Sequence, residues 1–245
     1  LVRDRGLPVL LDLYDQYQIR TTFFVTGSIA KQLPGVVQLI AKRGHEIGSH
    51  GLSHEKEDGF DVLPYQDQVV HLKESKKILE DISGQEVVSF RAPALRVSDD
   101  TVLALIEARY KIDSSVASQR FDFFLSFGGK QKLKWLGAPR QPYRVSKKSI
   151  YKKGSSDIIE VPLTALIFPY VGTTLRMFPL ITNLFKHFIA LEASLTDKPV
   201  VFDIHPNEFI DESDQPRAVA RRSKNPLAYL VQDQLRARLK IRNLG

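Results

Sequence analysis

Three of the six histidines in this 245-residue chain fall within "GHEIGSHGLSHE", residues 44–55. His50 and His54 stand four apart, a spacing that brings two imidazoles to one side of a helical turn and within reach of one cation. The chain has no cysteine, so a metal ion would have to be held by histidines and carboxylates. The competing reading of a bare pair is two exposed or hydrogen-bonded loop histidines. His45 precedes a strand and is expected to support the site rather than to ligate.

Three further residues carry chemistry. Arg91 sits in the Arg-Ala-Pro turn of "SFRAPALR", where a surface ion pair is the plain alternative. Asp113 ends the strand-like "YKID", where a cap or turn would serve equally. His205 follows the apolar run "VVFDI" and precedes a proline. An imidazole titrates near neutrality, so a histidine at a strand end is a candidate general acid, weighed against a packed loop histidine.

Strand-like and helix-like stretches alternate around these residues. "TTFFV" (21–25) is a short buried strand, and "LPGVVQLIAKRG" is a helix closed by Gly44. "HEIGSH" is a strand running into a loop. "YQDQVVHLKESKKILEDISG" is an amphipathic helix with Val69, Leu72, Leu79 and Ile82 on one face and Gly84 at its end. "VVSFRAP" is strand then turn, Ser98 is expected to cap a helix over "SDDTVLALIEARY", and "YKIDSS" is a strand. The region of about 118–157, rich in lysine, is expected to be irregular. The rhythm resumes with the strand "IIEVPL", the helix "FPLITNLFKHFIALEASL", the strand "PVVFDIH" and a basic helix near 226–242. Alternation of this kind predicts a parallel sheet or barrel, with sites at the C-terminal ends of the strands. No internal repeat or linker divides the chain, so residues 1–245 read as a single domain.

Hydrophobic residues make up 43% and charged residues 26% of the chain, a globular composition. The longest apolar stretch, "TALIFPYVGTTLRMFPLITNLFKHFIAL", is interrupted by Pro169, Gly172, Arg176, Pro179 and Lys186, so no transmembrane segment is expected. The first residues read as a helix rather than a secretory leader. The formal net charge is +7, with basic clusters in "GGKQKLKW", "SKKSIYKKG" and "RAVARRSK". These lack the interleaved aromatics of a single-strand binder, so nucleic acid is not an expected partner.

Taken in order, "TTFFVTG", "GHEIGSHGLSH", "FRAP", "YKIDSS" and "DIHP" resemble the polysaccharide deacetylase family, the NodB-homology carbohydrate esterases. "EVPL" and "HPNEF" are similar to the subgroup linked to exopolysaccharide loci. The resemblance implies a distorted (β/α)7-type barrel and removal of N-acetyl groups from a carbohydrate, an N-acetylated oligo- or polysaccharide. It implies a divalent metal, zinc by family habit, on His50 and His54, although position 51 is Gly where the family has Ser or Thr. It further implies that Arg91 positions the base carboxylate, that Asp113 tunes the acid histidine, and that His205 is that acid.

The family's T-F-D-D or D-V-E strand, source of the base aspartate and third ligand, would fall at or before Leu1. Asp4 is too close to "TTFFV" to replace it, and Asp12 lies on the outer face of a helix. A chain beginning after the first strand is one expectation. A carbohydrate-binding homologue without the base is the other. A hydrolase of cyclic amides on the same scaffold is disfavoured by the retained histidine pair.

Overall fold

A computed structural model describes residues 2–119 and 130–210. The basic helix expected near 226–242 lies outside the described residues, as does part of the 118–157 region. A π-helical turn, Val2–Gly6, leads into α1 (Leu7–Gln16). Then come β1 (Thr22–Val25), α2 (Gly27–Gln32), α3 (Pro34–Lys42), β2 (Glu46–Ser49), α4 (Tyr65–Ser83), β3 (Ser89–Phe90), α5 (Thr101–Glu107) and β4 (Ile112–Asp113). The hairpin β5 (Tyr143–Ser146) and β6 (Ser149–Lys153) precedes β7 (Ile159–Glu160). A second, two-stranded ladder, β8 (Ala165–Leu166) and β9 (Phe168–Pro169), leads to α6 (Gly172–Met177) and α7 (Pro179–Thr196).

The main sheet has seven strands in the order β1-β2-β3-β4-β7-β5-β6. Its first five members run parallel, each joined to the next through helices or the β5–β6 excursion. The fold is a distorted β/α barrel whose hydrogen-bonded ladder does not close among the described residues. Ile47 and Phe90 on the sheet are fully buried against Val37, Leu72, Leu79 and Leu105 of the helices. Glycine ends two of those helices as expected: Gly44 (φ +80) follows α3, and Gly84 (φ +69) is the left-handed cap of α4.

The structure corrects three expectations. Residues 143–153 form an antiparallel hairpin that extends the sheet rather than irregular chain. Its inward Tyr143 and Val145 alternate with Arg144 on the outside. The α5 helix begins at Thr101 with Asp100 at its cap position, while the Ser98 hydroxyl bonds Gln68 instead. "PVVFDIH" makes a single parallel bridge, Asp203 to Val171, rather than a strand. The stretch from His50 to His54 is loop, as the reading of "HEIGSH" expects, and its rings are not placed by a helical turn. No helix among the described residues is long and apolar enough to cross a membrane.

Candidate active site

Because β1, β2, β3, β4 and β7 are parallel and in register, they end together. Val25, Ser49, Phe90, Asp113 and Glu160 are successive partners across the sheet. The residues that leave the strands just beyond this row, His50 and Arg91 among them, therefore converge on one rim.

Gly51 takes a left-handed φ of +75, which turns the chain sharply after His50. The turn is pinned to the start of α2, whose Gly27 and Ser28 N–H groups donate to the carbonyls of Gly51 and Leu52 at 2.9 and 2.8 Å. The result brings the His50 and His54 rings to 5.4 Å between centroids. His50 donates its Nδ1–H to the carbonyl of Arg91 at 2.6 Å, leaving Nε2 as the lone-pair nitrogen of a neutral ring. Burial, partly opposed by that bond, pushes His50 down to about 4. A ring fixed at one nitrogen by a carbonyl and neutral at the other is in the form that binds a metal. His54 is exposed at the mouth. The pair fits two places of a divalent ion's shell, and no third histidine or carboxylate joins it among the described residues.

Arg91 is buried, and its guanidinium is held on three sides. Nε donates to the Ser114 carbonyl (2.9 Å), Nη2 to Ser114 Oγ (2.8 Å) and Nη1 to Asp203 Oδ1 (2.7 Å). Its face lies 4.5 Å from the Phe24 ring centroid. Asp113 is fully buried and accepts from Ser115 Oγ at 2.6 Å. Its register partner Glu160 accepts from the Val116 N–H at 3.0 Å. Burial raises both carboxyls, Glu160 the further because the Asp113 charge adds to it. Asp113 thus bonds Ser115 rather than His205.

His205 is exposed, with extended backbone, just ahead of the short 3-10 turn Pro206–Phe209. Its N–H donates to Oε2 of buried Glu208 (3.1 Å), and its carbonyl accepts from the Glu208 N–H (2.9 Å). Glu208 in turn accepts from Thr173 Oγ1 at 2.8 Å. His45 packs between Tyr14 and Phe23 at 5.6 and 5.1 Å, with neither ring nitrogen hydrogen-bonded. It is a packing residue.

The structure therefore brings His50, His54 and Arg91 together, and attaches Asp203 to them. Asp203, Glu160 and Glu208 are polar positions that reading the sequence does not single out. The signal for Asp203 and Glu160 is an acidic residue inside an apolar strand-like run, "VVFDI" and "IIEVPL".

Residues 4–112 match the family model described as polysaccharide deacetylase. Over that segment the chain is similar to the polysaccharide deacetylase family. A peptidoglycan deacetylase from Helicobacter pylori is 30% identical over 116 residues, 47% of this chain and 39% of that protein. A peptidoglycan deacetylase-like protein from Gibberella zeae is 26% identical over 200 residues, 77% of this chain and 54% of its own length. The chain thus spans about half or less of these curated relatives. A Mycobacterium smegmatis crystal structure carrying a provisional polysaccharide deacetylase name superposes with a TM-score of 0.62 at 21% identity, covering 84% of this chain and 65% of that one. At that identity the likeness establishes the fold alone. His50, His54 and Arg91 lie inside the matched segment, Asp113 directly follows it, and His205 lies beyond it.

Proposed function

We propose that the chain is a metal-dependent deacetylase of an N-acetylated carbohydrate of the peptidoglycan or chitin kind. The observation that carries this reading is the histidine pair at the strand-end rim, with His50 held neutral and oriented by the Arg91 carbonyl. The relatives named as peptidoglycan deacetylases support the substrate class.

In this reading His50 and His54 hold a divalent ion, zinc by expectation, through Nε2 of His50 and a ring nitrogen of His54. Such an ion, when bound, polarises the amide carbonyl and lowers the pKa of water. The chain's own residues do the rest. His205, exposed at the mouth, carries the proton that the departing amine takes up, since an unprotonated amine is a poor leaving group. Glu208 fixes the backbone from which His205 projects. Arg91 presents a buried positive charge that orients carboxylate at the rim. Asp113, bonded to Ser115, closes the end of β4 behind this rim.

The test is metal content after gentle purification, with acetate release from acetylated glucosamine oligomers by the full-length gene product. Stoichiometric metal and acetate release, both lost in His50→Ala, support the reading. Oligosaccharide binding without acetate release would make the protein a carbohydrate-binding homologue instead.

A further inference from the structure

We propose that Asp203 is a positioning residue of this site, acting through its ion pair with Arg91 to orient the His50 ring and to tie the His205 segment to the histidine pair. The inference rests on the metal-dependent reading above and assigns a role to a residue that reading leaves unused.

Arg91 touches both partners at once. Its main-chain N–H donates to the Ser49 carbonyl at 2.9 Å, and its main-chain carbonyl receives the Nδ1–H of His50 at 2.6 Å. Its side chain runs the other way, across the Phe24 ring, to Asp203. Ser114 supplies only neutral acceptors, and its hydroxyl already donates to the Val161 carbonyl at 2.7 Å. Asp203 is the carboxylate that balances the guanidinium among the described residues, with the two side chains 10% and 25% exposed. A buried guanidinium stripped of its carboxylate must shift toward water, and the Arg91 backbone would follow. The carbonyl that sets the His50 ring would move with it.

The second half of the argument concerns Asp203's own backbone. Its carbonyl accepts from Gly172 N–H at 2.8 Å, and Val201 is bonded to Thr164 through its carbonyl and its N–H, at 3.1 and 2.9 Å. Those bonds anchor the segment to the chain at 164–172, away from the histidine pair. The Asp203–Arg91 pair spans 112 positions of sequence and joins the segment to the end of β3. Asp203 stands two residues before His205. One ion pair therefore sets the position of the proposed acid relative to the proposed ligands.

The experiment uses the full-length gene product, with zinc affinity measured by calorimetry beside thermal unfolding of the metal-free protein. Asp203→Asn keeps the shape and removes the charge. The expected result is zinc affinity weaker by about tenfold or more, the scale for groups that orient metal ligands, with unfolding temperature little changed. Asp203→Glu restores most of that affinity. Asp203→Asn adds little when placed on Arg91→Lys, because the pair acts as a unit. Wild-type affinity in Asp203→Asn would overturn the proposal while leaving the deacetylase reading intact. A wild-type protein that takes up no zinc and releases no acetate would fail the reading itself. Should Asp203→Asn not fold, Arg91→Lys, which retains charge but shortens the reach, takes its place under the same two outcomes.

Discussion

Asp113 and Glu160 face each other in register at the ends of β4 and β7, both fully buried. The Asp113 charge beside it pushes the Glu160 carboxyl further up than burial alone. Both carboxyls are raised by burial, so this pair favours folding at low pH and loses that contribution as pH rises through the raised values. Glu160→Gln keeps the shape without the titrating group. It is expected to stabilise the protein at about pH 8 by on the order of 1–2 kcal/mol, with less gain near pH 5. Urea unfolding at the two pH values checks this.

The histidines work in the opposite sense. Burial lowers His50 to about 4 and also lowers His45. A lowered folded value gives stability that is present above the unfolded value of about 6.5 and lost as pH falls below it. Metal-free protein is therefore expected to lose on the order of 2–3 kcal/mol between about pH 7 and pH 4.5 from His50 alone. His45→Phe, which keeps a ring between Tyr14 and Phe23, should flatten the His45 share and add about 1 kcal/mol at neutral pH, because the two unbonded nitrogens are gone. Denaturant titrations of the variant and wild type across this window decide it.

His205 is exposed, so removing its ring should leave the fold alone. His205→Ala is expected to reduce acetate release by about a hundredfold or more, with unfolding shifted by no more than about 2 °C. A large loss of stability with proportional loss of activity would make it a structural residue.

Gly172 lies against the carboxylate that holds His205. A Cβ at that position would run into Oε2 of Glu208 and approach Ile204. Gly172→Ala is expected to cost about 1–3 kcal/mol and to lower acetate release by more than the fraction unfolded explains. Activity measured at matched folded fraction separates the two effects.

Much of this architecture was legible in residue pattern because it rests on local rules. The 3.6-residue spacing of Val69, Leu72 and Leu79 and the glycine stops at Gly44 and Gly84 mark helices whose ends the structure reproduces. The hairpin 143–153 carries no turn signal in its sequence, because its turn is Lys147–Lys148, without the glycine or asparagine that usually marks one. The histidine pair was legible as a pair on a loop after a strand, but its ring-to-ring geometry was not, since that depends on the left-handed Gly51. The partners of Arg91 and Asp113 were not legible at all. They lie 112 and 47 positions away: the β4–β7 register pairs Glu160 with Asp113, and a side-chain ion pair from outside the main sheet brings Asp203 to Arg91.

The central claim, that His50 and His54 hold a metal ion on which deacetylation depends, is tested most directly by stripping and restoring that ion. Full-length protein is treated with chelator, dialysed and assayed for acetate release from acetylated glucosamine oligomers before and after stoichiometric zinc. Activity lost on stripping, regained with zinc in wild type and not regained in His50→Ala is the predicted result. Acetate release that survives chelation, or that His50→Ala leaves unchanged, would contradict it.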